Sequence, residues 1–202
     1  MLETICEVLS EAYKRNWITA RDGNASLRFA NDHKIYVTPS AVRKQTLQPG
    51  MFKIIDARSG VELEGCPIQV GLRPTGELPL HYGLQKVIDE DVRVVLHLHP
   101  TYTIAAMLAG IDLSKLVNEF PELGRYTSVA PTVPDVPPIS QELADACIEN
   151  LVLGDNGSIR YNIVGIDRHG VVAIANTPWR AMEHIERLEH ICKIALASRT
   201  TF

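Results

Sequence analysis

The strongest chemical signal in the chain is His97-Leu98-His99, which closes its most β-branched run, Val92 to His99. Residues two apart in a strand face the same side, with Cα atoms about 6.5 Å apart, so two imidazoles there can share one cation. Zinc takes histidine nitrogen at about 2.0 to 2.1 Å, and a catalytic site typically has three protein ligands and one position left for water or substrate. A third ligand must then come from elsewhere. His169 is the best placed, because Asp167-Arg168-His169-Gly170 breaks an apolar strand region between Ile163-Val164 and Val171 to Ile174. The same break also fits a hairpin tip with a solvent-facing histidine, and a lone His-x-His also fits ordinary hydrogen-bonded histidines. Glu77 lies in Pro74-Thr75-Gly76-Glu77-Leu78-Pro79, where a turn runs into a helix start. Backbone amides at such a start can receive an anion, and the glutamate itself can be a metal ligand, a general base or simply a partner of the helix dipole.

Two further segments combine turn chemistry with hydroxyl or amide donors, as an anion requires when no cationic cluster is supplied. They are Asp22-Gly23-Asn24-Ala25-Ser26 and Thr38-Pro39-Ser40-Ala41. Neither has the spacing of a P-loop or a dinucleotide-binding glycine fingerprint, and each also reads as a plain turn.

The elements that must position these groups follow from hydrophobic period and turn chemistry. Leu2, Ile5, Cys6, Leu9, Ala12 and Tyr13 predict an opening amphipathic helix ending near Asn16. Asn24 to Phe29 and His33 to Thr38 read as strands around Ala30-Asn31-Asp32, and Phe52 to Asp56 with Val61 to Leu63 as a hairpin around Arg58-Ser59-Gly60. Pro79 favours a helix beginning close to Glu77, since proline is tolerated in a first turn. After the His97 strand come a short helix over Tyr102 to Leu108 closed by Gly110, a proline-rich surface loop over 131 to 138, and a helix from about Ser140. Strands within 161 to 175 and a final helix from Pro178 to about Ser198 complete the chain. Helices alternating with hairpins predict an α/β fold, a central, mainly antiparallel sheet flanked by helices, in a single domain over 1–202.

Composition restricts the function. With 46% hydrophobic and 22% charged residues in 202, the chain has enough apolar material for one core without disulfide or metal staples, so any metal is free to be catalytic. A formal net charge of -4 offers no basic footprint for nucleic acid and no polybasic membrane patch. Cys6, Cys66, Cys147 and Cys192 form no CxxC pair and read as reduced packing thiols. The acidic start, Met1 to Glu7, shows no signal-peptide pattern, and no apolar run reaches the roughly 18 residues of a membrane span, so a cytoplasmic protein is expected. Among the other histidines, His81 lies four residues after Glu77, on the same helical face, as a group that supports the site rather than a ligand. His33 reads as an exposed hairpin residue, His184 and His190 as surface or interface residues of the last helix, and Trp17 and Trp179 as packing residues.

In chain order, Gly23-Asn24-Ala25-Ser26, Thr38-Pro39-Ser40, Pro74-Thr75-Gly76-Glu77, His97-Leu98-His99-Pro100 and Arg168-His169-Gly170 resemble the class II aldolase/adducin-head family, typified by zinc-dependent fuculose-phosphate aldolases. The resemblance spans most of the chain. It implies a three-layer arrangement of helices about the sheet, a divalent metal (Zn2+, with Mn2+ or Co2+ as alternatives) on His97, His99 and His169, and Glu77 as acid/base beside it. It further implies a small phosphorylated sugar as substrate, with its phosphate bound by the segments around Asn24, Ser40, Thr75 and Gly76, and a homotetramer with sites at subunit interfaces. The expected reaction is cleavage of a ketose 1-phosphate to dihydroxyacetone phosphate and an aldehyde through a metal-stabilised enediolate. Dehydration, 4-epimerisation and decarboxylation of related sugar phosphates are the family alternatives, and a non-catalytic binding module, as in the adducin heads, is disfavoured by retention of the three histidines. Departures occur at Ala41, where several relatives carry glycine, at Gly76, where they carry serine, and at Arg168, which replaces a histidine and can offer a substrate-facing cation. Tyr126 falls roughly where aldolases place a tyrosine acid donated across the interface.

Overall fold

The computed structural model describes residues 1–30, 32–65, 67–88, 92–151 and 159–198, so Asn31 of the first expected turn and Cys66 lie outside the described residues. The chain opens with α1 (Leu2–Lys14) and then builds the strands β1 (Asn24–Phe29), β2 (Lys34–Val37), β3 (Lys53–Asp56) and β4 (Glu62–Leu63). After α2 (Leu78–Val87) come β5 (Val92–Leu98), α3 (Thr101–Leu108), α4 (Leu113–Glu119), α5 (Pro121–Tyr126) and α6 (Gln141–Leu151). The chain closes with the hairpin β6 (Ile163–Ile166) and β7 (Gly170–Ala175) and the long α7 (Pro178–Ala197).

The strands form one sheet in the order β4-β3-β2-β1-β5-β7-β6, with every neighbouring pair antiparallel. Alternation along the central strands divides its two faces. Ala25, Leu27, Val94, Leu96, Leu98, Val171 and Ala173 pack with buried residues of α1, α3 and α7, whereas Val95, Val172 and Ile174 pack with α2 and α6. His97 shares the parity of Val95, so it lies on the α2 face. The register then sets its neighbours, with Asn24 opposite His97 on β1 and Val172 opposite it on β7.

Most element bounds match the sequence pattern to within one or two residues. α1 stops at Lys14 rather than near Asn16, because Asn16 adopts φ 58° and cannot continue a right-handed helix. β5 ends at Leu98, so His99 lies just beyond the strand, its backbone N–H held by Trp17 O at 3.0 Å. The short helices α4 and α5 fill a region in which the sequence pattern defined no element. The proline-rich loop is irregular but anchored to β6, with Val133 N–H donating to Gly165 O and Asp167 N–H to Val133 O.

Two expectations about α7 are corrected. His184 is buried, not at the surface, because it falls between Ala181 and Leu188 in the inward stripe, where Nδ1 meets Thr127 Oγ1 at 2.9 Å. Trp179 is exposed rather than packed, since the first turn of α7 directs it away from that stripe. Trp17 packs in the core as expected, Cys147 and Cys192 are buried free thiols, and the free thiol of Cys6 is half-buried. No described helix is long and apolar enough to cross a membrane.

Candidate metal centre and its surroundings

His97 stands at the end of β5, His99 two residues on, and His169 on the turn between β6 and β7. Because β5 and β7 are paired, with Leu98 opposite Val171, that turn is carried back to the two histidines. Each imidazole offers a nitrogen, and the three nitrogens lie within 4.8 Å of one another, with ring centroids 4.8 to 5.2 Å apart. Gly170 makes the approach possible. A Cβ there would sit 2.4 Å from Leu98 O and 2.8 Å from His99 Cδ2.

Glu77 is the residue before α2, whose first turn is set by Pro79. Its carboxylate enters the same space, with Oε2 3.4 Å from His97 Nε2 and Oε1 3.5 Å from His169 Nε2. Protonation states test whether a cation fits. His97 Nδ1 donates to Val171 O at 3.0 Å, which leaves Nε2 as a bare lone pair. That lone pair lies 2.9 Å from His99 Nε2 and faces the Glu77 carboxylate. Burial, reinforced by the neighbouring imidazoles, pushes His97 and His99 down to about 3, so these two rings stay neutral at physiological pH. Electron-rich atoms crowded this closely, with few protons among them, form a donor set complementary to a divalent cation, and the Val171 carbonyl orients the first ligand as metal-bound histidines require.

These groups line a cavity of about 200 Å3 together with Asn24, Ser40, Ala41, Thr75 and Gly76. The structure therefore brings His97, His99, His169, Glu77, Asn24, Ser40, Thr75 and Gly76 to one cavity, and Asn24 has further neighbours that the sequence did not announce. Its Nδ2 donates to Glu77 Oε2 at 3.1 Å and its Oδ1 meets His81 Nε2 at 2.5 Å, so this cavity-lining amide also links Glu77 to His81. Ser26 is fully buried, facing His81 and Gln85, and forms no part of an anion cradle. Thr75 and Ser40 do border the cavity, with Thr75 N–H tied to Thr38 O and Ser40 N–H to Arg73 O. Ala41 adopts φ 60°, the left-handed conformation that suits the glycine of relatives. Arg168 is corrected as well: its guanidinium pairs with Asp135 at 2.6 Å and Asp167 at 3.2 Å and does not line the cavity.

Three lining groups carried no signal in the sequence. Arg21 and Lys44 border the cavity near Ser40, and Lys44 is buried, with Nζ donating to Arg21 O at 3.0 Å and Val42 O at 3.2 Å. Burial lowers this lysine to about 8. Ile139 stands over Gly76, where an added Cβ would meet its Cδ1 at 3.2 Å, so its side chain occupies the space where a serine at 76 would project. Isolated residues of loops have no period to reveal such placement. Tyr126 is exposed on α5, its ring under the guanidinium groups of Arg125 and Arg187.

A seven-stranded antiparallel sheet between helical layers, with three imidazoles and a carboxylate converging at the C-terminal end of β5, defines the class of protein: an α/β protein whose donor set can hold a divalent metal. The chain belongs to the Class II Aldolase and Adducin N-terminal domain family, whose model matches residues 3–196. Among curated relatives, methylthioribulose-1-phosphate dehydratase of Leptospira borgpetersenii serovar Hardjo-bovis is 24% identical over 209 residues, covering 95% of this chain and 80% of its own. Among solved structures, YgbL of Klebsiella pneumoniae superposes with a TM-score of 0.78 at 21% identity, covering 100% of this chain and 90% of that one. L-fuculose-1-phosphate aldolase of Thermus thermophilus does so with 0.72 at 19% identity, covering 98% and 94%.

Proposed function

We propose that the chain is a metal-dependent lyase acting on a ketose 1-phosphate, with loss of water from the third and fourth carbons as its reaction. The observation that carries this reading is the Glu77 carboxylate held 3.4 to 3.5 Å from two imidazole nitrogens of the triad, at one end of a cavity whose other wall offers Ser40, Thr75, Lys44 and Arg21. Zinc is the expected ion, with manganese or cobalt as alternatives. A divalent cation on the three neutral histidines keeps its two charges and would stabilise the negative oxygens of an enediolate.

The protein's own part is proton transfer and placement. Glu77 takes the proton from the third carbon, beside the ketone, as the electron pair moves toward the carbonyl oxygen. Hydroxide then leaves the fourth carbon, taking up a proton as water, and the resulting enol becomes the dicarbonyl as its hydroxyl gives up a proton and the fourth carbon gains one. The neighbouring cationic groups and the Ser40 and Thr75 segments would hold the phosphate at the other end. Aldol cleavage would instead break the bond between the third and fourth carbons as the hydroxyl on the fourth carbon gives up its proton, and Glu77 would then deliver a proton to the third carbon rather than remove one. The names of the curated relatives support dehydration as the first reading. The assembly we propose is a cytoplasmic homotetramer of this single domain, with exposed Tyr102, Leu108, Tyr126 and Trp179 supplying apolar surface for contacts between copies.

The test is to incubate the zinc-loaded protein with a panel of ketose 1-phosphates and follow dicarbonyl product and dihydroxyacetone phosphate in parallel. Dicarbonyl product supports the proposal. Dihydroxyacetone phosphate alone transfers the assignment to aldol cleavage, and no turnover of any ketose 1-phosphate refutes both.

A further inference from the structure

Behind Glu77, on the side away from the cavity, a line of buried polar side chains runs between α2 and β1. Glu77, His81 and Gln85 are four residues apart, so they share a helix face and rise about 6 Å per step. Asn24 and Ser26 are two apart on β1, with a step of about 6.6 Å. The two repeats match closely enough to interlock. Gln85 Nε2 lies 3.0 Å from Ser26 Oγ and 3.1 Å from Arg93 O, Ser26 Oγ lies 2.8 Å from His81 Nδ1, His81 Nε2 lies 2.5 Å from Asn24 Oδ1, and Asn24 Nδ2 lies 3.1 Å from Glu77 Oε2.

Both ends of this line fix its direction. The Glu77 carboxylate can only accept, so Asn24 presents its amide N–H there and its carbonyl oxygen to His81. His81 Nε2 must then carry a proton. In the neutral ring Nδ1 is an acceptor, which requires the Ser26 hydroxyl to donate to it and to accept from Gln85. At the far end Arg93 O can only accept, and it demands the same orientation of the Gln85 amide. The orientation leaves Gln85 Oε1 buried with no partner, a sacrifice that marks the amide as held through its nitrogen.

We infer that Gln85, Ser26 and His81 form a one-directional hydrogen-bond chain that, through Asn24, orients the Glu77 carboxylate and reserves its Oε1 for the transferable proton. Oε2 already receives the Asn24 amide, whereas among the described residues Oε1 has no hydrogen-bond donor, its nearest nitrogen partner being His169 Nε2 at 3.5 Å. His81, Ser26 and Gln85 are positioning residues: the cavity is lined by Asn24 and Glu77, and the three lie behind them. Burial, which pushes His81 down to about 4, agrees with a neutral ring.

The role in proton transfer rests on the reading of Glu77 given above, but the direction of the chain does not. The deciding experiment is a long-range 1H–15N correlation on the zinc-loaded protein with labelled histidine, using His81→Gln to assign the His81 signals. The expected result is a neutral His81 with its proton on Nε2 and a bare Nδ1, opposite to His97, which donates through Nδ1. An Nδ1–H tautomer or an imidazolium overturns the inference, whatever the reaction. Ser26→Ala supplies the functional arm: on a substrate identified by the ketose phosphate panel, kcat should fall about tenfold with KM within twofold and zinc content unchanged. An unchanged kcat overturns the positioning role. Failure of the whole panel would refute the proposed reaction and leave the tautomer to decide the chain.

Discussion

Replacing Gly170 with alanine should disable the metal centre without touching any of its donor atoms. The new Cβ would lie 2.4 Å from Leu98 O, and that oxygen would have to retreat by about 0.6 Å to reach 3.0 Å, below which real Cβ contacts are essentially absent. Leu98 sits between His97 and His99 and is paired with Val171, so the displacement passes directly to two of the three ligands. Metal–ligand distances are confined to within about 0.2 Å, and disturbing the groups that orient ligands commonly costs 10- to 100-fold in affinity. We expect zinc affinity to fall by about that factor. Overpacking of this kind costs about 1 to 3 kcal/mol, which for a chain of this length lowers Tm by roughly 2 to 12 °C. Competition with a chromophoric chelator reads the first quantity and calorimetry of the apo protein the second. Wild-type zinc affinity together with an unchanged apo Tm would refute the packing argument.

Glu77→Gln should keep zinc content near wild type while lowering turnover by about 10^2- to 10^4-fold, the usual contribution of a positioned general base; equal loss of metal and activity would make Glu77 chiefly a ligand. Glu189 is buried and accepts the backbone N–H groups of Tyr102 and Thr103 and the Thr103 hydroxyl, capping α3 directly after the His99 turn. Glu189→Ala should therefore lower stability by about 1 to 3 kcal/mol in urea titration, and a change within error would contradict the capping role. The apo protein should lose stability as pH falls from about 7 to 5. His81 and His184, lowered to about 4 by burial, take up protons in the unfolded chain near 6.5 but not in the folded one, so acid favours unfolding until the pH nears the folded values. Because His97 and His99, lowered to about 3, act in the same direction, the slope of Tm over that interval should become shallower, not vanish, in His81→Gln/His184→Gln, and a slope equal to wild type would refute the assignment.

The parts of the site carried by regular elements were legible in the sequence. His97 lies near the end of a strand of strong β-branched pattern with His99 just beyond it, and Pro79 marks the helix start that positions Glu77, so their local geometry follows from period and backbone restriction alone. His169 could be named but not placed: only the antiparallel pairing of β5 with β7 brings its turn to the first two histidines. The resemblance to the family supplied that link. The contacts of Asn24 with Glu77 and His81 were not legible, because only the register of β1 in the sheet aims its side chain at α2. Gln85 and Lys44 were silent for a related reason. Burial of a polar side chain depends on the partner opposite it, and hydrophobic period registers only apolar ones. On α7, the same blindness placed His184 at the surface, although its position between Ala181 and Leu188 falls in the inward stripe.

X-ray absorption at the zinc edge of the loaded protein addresses the metal centre itself. The account predicts one ion per chain with about three imidazole nitrogens at about 2.0 to 2.1 Å, reduced to two in His169→Ala. A protein that retains no ion through gel filtration, or an ion whose coordination is indifferent to His169→Ala, would contradict it.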